Sequence, residues 1–80
     1  MNTTFKDLAI GNTYIIKEKY TSYPNIYKIR VLEKTETTLY LIYEDSGYKV
    51  RELIEKLEDK YKIIENLGNI SLLTYQNAFL

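Results

Sequence analysis

The sequence predicts a mainly β or α+β fold, with a small, strongly bent antiparallel sheet or barrel and one helix at about residues 51–60. Two observations support this prediction. Residues 12–43 contain three runs rich in β-branched and aromatic residues, separated by turn-forming residues. After residue 50 the apolar residues recur at i, i+3, i+4 and i+7, which is typical of a helix with one buried side. The 80 residues predict a single domain, 1–80.

The first two strands are predicted at 12–19 and 26–33. The loop between them contains Pro24, which disfavours helix at the residue before it. In the second strand, apolar side chains alternate with Lys28 and Arg30. We therefore expect one face of this strand to be buried and the two cations to lie in water.

The third strand, at 39–43, is apolar at every position, whereas a surface strand alternates. A turn at Lys34-Thr35 would place Ile29 opposite Tyr40. The buried face would then be Tyr27, Ile29, Val31, Thr38, Tyr40 and Ile42. The opposite face would hold Leu39, Leu41 and Tyr43. We expect the helix or the C-terminal tail to bury these three residues, which otherwise form a partner-binding surface. A slip of one residue would exchange the two faces.

A turn at 45–47 and a short strand at 48–50 are predicted before the helix. Residues 61–65 either extend the helix or form another strand. Ile63 and Ile64 are β-branched and interrupt the helical spacing, which favours the strand. Residues 69–80 are predicted to form a tail or a final strand.

The composition argues against an enzyme. The chain has no His and no Cys, which removes the usual general base and most nucleophilic designs. Glu55, Glu58 and Asp59 could hold a cation on one helix surface, but the lysines among them favour a solvated face. We therefore expect no catalytic residue, no metal site and no cofactor. The chain also shows neither a secretion leader nor an apolar run of bilayer length, which predicts a cytoplasmic protein that does not enter a membrane.

Nine tyrosines are the unusual feature of the composition. Four of them, Tyr14, Tyr27, Tyr40 and Tyr61, lie in or beside apolar stripes and are expected in the core. Tyr20 and Tyr23 instead lie in the loop between the first two strands. Tyrosine and arginine are over-represented in binding hot spots. The sequence therefore predicts a partner-binding site there. Its proposed members are Lys17, Lys19, Tyr20, Tyr23, Lys28 and Arg30.

Three functions are compatible with this predicted site and with the apolar tail. The first is a non-enzymatic module that binds an acidic patch on a protein partner. The second is a nucleic-acid-binding barrel that uses the same residues on bases and phosphates. The third is a homo-oligomer formed through the free edge of the sheet or through residues 70–80. A purely structural explanation also stays open, because tyrosines favour strands and lysines favour solubility.

The segment LAIGNTYII, residues 8–16, resembles the L-x-x-G-x-x-Y-x-I opening of small barrels of the Src-homology-3 or Tudor-like type. Residues 27–67 are similar to small uncharacterised accessory proteins of bacteriophages and mobile elements in Firmicutes. An aromatic residue often follows the glycine turn in that group, and Tyr48 has that position here. The resemblance implies a compact binding protein that inhibits a host factor or a defence system. It implies no catalytic residue.

Overall fold

The structure is a computed structural model that describes residues 3–69. In this range a short 3-10 helix precedes five strands and one α-helix. They are the 3-10 helix Phe5–Asp7, β1 Thr13–Glu18, β2 Ile26–Lys34, β3 Thr38–Tyr43, β4 Tyr48–Leu53, α1 Ile54–Lys60 and β5 Tyr61–Gly68. The strands form one open antiparallel sheet in the order β4-β3-β2-β1-β5. The predicted mainly β fold with one helix is confirmed. Of the two predicted arrangements, a bent sheet or a barrel, the described residues form an open sheet.

Helix α1 joins the two edge strands, β4 and β5. The strand predicted at 61–65 is confirmed, since β5 begins at Tyr61. The helix begins at Ile54 rather than near 51, because β4 continues to Leu53 and the Ile54 backbone N–H donates to Thr37 O at 2.8 Å. No helix within residues 3–69 is long and apolar enough to cross a membrane. The tail or strand predicted at 69–80 lies, except for Asn69, outside the described residues.

The core lies on one face of the sheet, between the strands, α1 and the N-terminal segment. Its buried members are Phe5, Leu8, Tyr14, Ile16, Ile29, Val31, Leu39, Leu41, Ile54, Leu57 and Tyr61. The sheet provides most of them, and the helix and the N-terminal segment each provide two. We call the opposite side of the sheet the outer face.

The register of the second hairpin differs from the predicted one. Val31 lies opposite Leu41, and Ile29 lies opposite Tyr43 instead of Tyr40. This shift of three residues reverses the faces of β3, because side chains alternate along a strand. The predicted buried face of β2 was right, but Tyr40 and Ile42 belong to the outer face. Leu39 and Leu41 are fully buried in the same core cluster as Ile54 and Leu57 of α1, so the expected burial of these two residues is confirmed and they form no partner-binding surface.

The turn and a bulge together explain this shift. The Thr35 side-chain oxygen accepts hydrogen bonds from the backbone N–H groups of Thr37 and Thr38, at 3.3 and 3.0 Å. The Thr35 N–H in turn donates to Thr38 O at 2.9 Å. These bonds close the turn over residues 35–38 and pair Glu33 with Tyr40, which is a shift of four residues. The bulge between Val31 and Glu33 reduces the shift to three, and this odd number is what reverses the faces.

Candidate functional site: a tyrosine groove and a basic outer face

Three connections meet at one end of the sheet: the β1–β2 loop, the β3–β4 turn and the α1–β5 junction. The pairing Glu18–Tyr61 places the start of β5 beside the end of β1, and Tyr43–Tyr48 closes the neighbouring hairpin. A cavity of about 580 Å³ opens there. We call it the tyrosine groove, because four tyrosines line it: Tyr27, Tyr43, Tyr48 and Tyr61.

The four rings contact one another across the sheet. Tyr27 meets Tyr43 edge-to-face, with ring centroids 5.5 Å apart and planes at 84°. It meets Tyr61 in the same manner, at 6.0 Å and 87°. Tyr43 and Tyr48 lie 6.1 Å apart at 34°. Each such pair adds about 0.5–1.5 kcal/mol beyond the burial of area. The rings therefore form an ordered aromatic wall, and Tyr48, 61% exposed, opens it to solvent.

Tyr43 contacts two of the other rings of this wall, Tyr27 and Tyr48. The pKa of Tyr43 is raised to about 12, mainly by burial and to a lesser extent by the charge of Tyr61 and a side-chain hydrogen bond with it. The charge of Glu52 acts in the same sense. The neutral hydroxyl is therefore the favoured form, which keeps a hydrogen-bond donor between Tyr43 and Tyr61.

This pKa predicts how stability depends on alkaline pH. The unfolded chain loses the Tyr43 proton near the ordinary pKa of 10.0, whereas the folded chain keeps it up to about 12. The stabilisation from the neutral hydroxyl is complete below pH 10.0 and is lost as the pH rises toward 12. We expect Tyr43→Phe to be about 1 kcal/mol less stable at neutral pH, because it loses the hydrogen bond. Its free energy of unfolding should also fall less steeply as the pH rises.

Urea unfolding of both proteins at several pH values across this window measures the difference. The matched control is Tyr23→Phe, which removes a hydroxyl from a ring that is 91% exposed. Its alkaline decline should follow that of the unmodified protein. An equally steep decline in Tyr43→Phe would contradict the assignment of the raised pKa to this hydroxyl.

The rim of the groove has charges of both signs. Asp45 and Glu52 provide carboxylates, and Lys28 and Lys60 provide ammonium groups. The Lys60 ammonium lies 5.5 Å from the centroid of the Tyr61 ring, which is the geometry of a cation–π contact. The groove is therefore aromatic on its wall and electrically balanced at its edge.

The predicted loop site is partly assembled beside this groove. Tyr20 and Tyr23 extend into solvent, 88% and 91% exposed. The loop is closed at its base, where the Asn25 N–H donates to Glu18 Oε1 at 2.8 Å and the Glu18 N–H donates to Asn25 O at 3.1 Å. Tyr20 has a φ of +59°, a left-handed conformation that costs a bulky residue about 1 kcal/mol. The loop therefore presents two aromatic side chains, one of them on a strained backbone.

The predicted cations do not all accompany these tyrosines. Lys17, Lys28 and Arg30 alternate with buried neighbours and so lie on the outer face, next to the loop. Arg30 forms an ion pair with Glu44 at 3.2 Å. Lys19 turns away, and its ammonium donates to Glu58 O at 2.6 Å, which ties the loop to α1. The assignment of these residues to a partner-binding site stays a prediction.

Sequence reasoning missed the tyrosine groove. It placed Tyr27 and Tyr61 in the core by their apolar stripes, and the structure buries Tyr61 but only part of Tyr27. One local signal was available. Tyr43 and Tyr48 flank the Asp45–Gly47 turn, and the structure pairs them as cross-strand neighbours.

No protein-family model matches the chain, and neither a curated protein nor a solved structure matches it. The resemblances to Src-homology-3 or Tudor-like barrels and to phage accessory proteins therefore stay predictions.

Proposed function

We propose that this protein is a non-enzymatic protein-binding module whose tyrosine groove holds an extended segment of a partner protein. The observation that supports this proposal is the wall of four tyrosine rings around one open cavity of about 580 Å³. Ligand pockets commonly have volumes of about 300–1,000 Å³. Tyrosine is also the side chain that gives large contact area at low entropy cost.

A polypeptide fits the polar groups of the groove. Phenol hydroxyls can donate to and accept from backbone amides, and a peptide offers both partners at every residue. The rim offers carboxylates at Asp45 and Glu52 and ammonium groups at Lys28 and Lys60, so side chains of either sign find a partner. The preferred segment should contain an apolar or aromatic anchor for the wall, flanked by residues of mixed charge.

The resemblance to accessory proteins of bacteriophages and mobile elements suggests a role for such a groove. A phage-encoded inhibitor acts inside the host cell, on a host factor or on a component of a defence system. We therefore place the partner among the cytoplasmic proteins of the host. Its groove-binding segment would be a loop or terminus, because only an accessible strand of chain can enter the groove.

Tyr48→Ala tests the proposal at the most exposed ring of the wall. Peptides are first selected from a random display library against the unmodified protein, and their affinities are then measured by calorimetry. We expect Tyr48→Ala to weaken the selected peptides at least tenfold, which is the effect of losing an aromatic anchor worth about 1.4 kcal/mol or more. The fold should be retained, since Tyr48 is 61% exposed.

The matched control is Tyr40→Ala. Tyr40 belongs to the outer face, where its ring lies 5.2 Å below the Arg51 guanidinium. Its removal deletes the same ring from the other side of the sheet and should leave peptide affinity unchanged. Failure to select any peptide, or equal losses in the two variants, would overturn the proposal.

A further inference from the structure

The chain has no net charge, but strand pairing separates its charges in space. Residues directly opposite each other in an antiparallel sheet share a face. Lys17 lies opposite Lys62, Ile42 opposite both Arg30 and Lys49, and Tyr40 opposite Arg51. Together with Lys28, opposite Ile15, these pairs bring six cations to the outer face. We call this set the basic face: Lys17, Lys28, Arg30, Lys49, Arg51 and Lys62.

The acidic groups of the described residues only partly balance the basic face. Glu44 is paired with Arg30 at 3.2 Å, and Glu33 with Arg51 at 3.6 Å. Glu65 lies opposite Ile15 on the same face. Helix α1, outside the basic face, has three carboxylates against two lysines. The four lysines of the basic face therefore form no ion pair among residues 3–69.

The pair Lys17–Lys62 is the feature that points to an anionic ligand. The two lysines are direct cross-strand neighbours on β1 and β5, and neither forms an ion pair within the described chain. Like charges at directly opposite positions destabilise a sheet. An anion between them would turn this repulsion into two attractions. The neighbouring Lys28 extends the positive surface along β2.

We propose that the basic face binds a single-stranded nucleic acid, with phosphates on the lysines and bases stacked on Tyr20 and Tyr23. The five strands span about 19 Å at their usual spacing, which is enough for several successive phosphates. The β1–β2 loop places both exposed rings at the Lys17–Ile26 end of this face. Stacking needs unpaired bases, so the combination of cations and exposed rings selects a single strand over a duplex.

Fluorescence anisotropy with a labelled oligothymidylate or oligouridylate of about 15 nucleotides tests this on the full chain, at several salt concentrations. Four phosphate-binding lysines predict a slope of log affinity against log salt of about −3. We expect Lys17→Glu with Lys62→Glu to weaken binding at least about tenfold and to flatten this slope. Tyr20→Ala with Tyr23→Ala should weaken binding by about tenfold while leaving the slope unchanged.

The matched control is Lys6→Glu with Lys56→Glu, which makes the same change of net charge at two exposed lysines outside the basic face. It should keep nearly the full affinity. If the Lys17→Glu and Lys62→Glu double variant fails to fold by circular dichroism, Lys17→Gln with Lys62→Gln replaces it, since glutamines remove the repulsion. Tyr48→Ala should bind the oligonucleotide normally, which separates this surface from the tyrosine groove.

Three results would overturn the inference. The first is no binding at about 50 mM salt, where electrostatic association is strong. The second is an equal loss of affinity in the control double variant. The third combines two observations: polyglutamate with the same number of charges displaces the oligonucleotide, and the tyrosine substitutions have no effect on binding. Together they would assign the basic face to an acidic protein.

Discussion

Replacing Leu41 by alanine is expected to lower the free energy of unfolding by about 3 kcal/mol, whereas Ile42→Ala should lower it by about 1 kcal/mol or less. Leu41 is fully buried in the core, opposite Val31 on one side and Val50 on the other. Its truncation leaves a cavity that the packed neighbours can only partly fill. Ile42, on the outer face, loses only partial burial.

The two variants form a matched pair, because they truncate adjacent aliphatic residues of the same strand. Urea unfolding followed by circular dichroism measures both. A small sheet protein has limited stability, so Leu41→Ala could leave little folded protein to titrate. Leu41→Val and Ile42→Val then give the same comparison with smaller losses. A larger loss at residue 42 would support the register predicted from the sequence and contradict the one in the structure.

The positions of the strands were predictable because their signals are local. Runs of β-branched and aromatic residues bounded by turn formers identified β1, β2 and β3 within two residues of their observed ends. The register was not predictable in this way. It depends on the hydrogen bonds that Thr35 makes within its turn and on a bulge after Val31, and neither follows from the alternation of apolar residues. A strand apolar on both sides, such as β3, gives no pattern that identifies its buried face.

The candidate sites show the same division between local and non-local information. Exposure of Tyr20 and Tyr23 followed from Pro24 and the turn formers around it, and the structure agrees. The tyrosine groove joins Tyr27 to Tyr61, whose contact exists only once β5 has paired with β1. The basic face likewise needs the pairing of all five strands before Lys49 and Lys62 join Lys17 on one surface.

The groove and the basic face lie mainly on opposite sides of the same sheet, and they share Lys28 beside the β1–β2 loop. The groove wall belongs to the core side, through Tyr27 and Tyr43, which pack against the core. The basic face belongs to the outer side. The sheet therefore separates the two binding surfaces apart from Lys28, which a partner on either surface would contact. Under the two proposals, the protein would hold a polypeptide and a nucleic acid together.

Phe5→Ala is expected to lower the free energy of unfolding by about 3–4 kcal/mol, although the residue lies in a segment that the sequence presented as a lead-in to β1. Phe5 is only 1% exposed and belongs to the same core cluster as Ile54 and Leu57 of α1. Its backbone N–H also donates to Glu58 Oε1. The N-terminal segment thus packs against the helix and closes the core on the side that the open sheet leaves uncovered.

Lys6→Ala is the matched control, because Lys6 belongs to the same turn of 3-10 helix and is exposed. It should change stability by less than about 0.5 kcal/mol. Thermal and urea unfolding of the two variants, side by side, separate loss of the buried ring from disturbance of the short helix. Similar stabilities for Phe5→Ala and Lys6→Ala would mean that the segment contributes nothing to the core. A large loss confined to Phe5→Ala would show that this sheet depends on its N-terminal segment, as well as on α1, to bury its inner face.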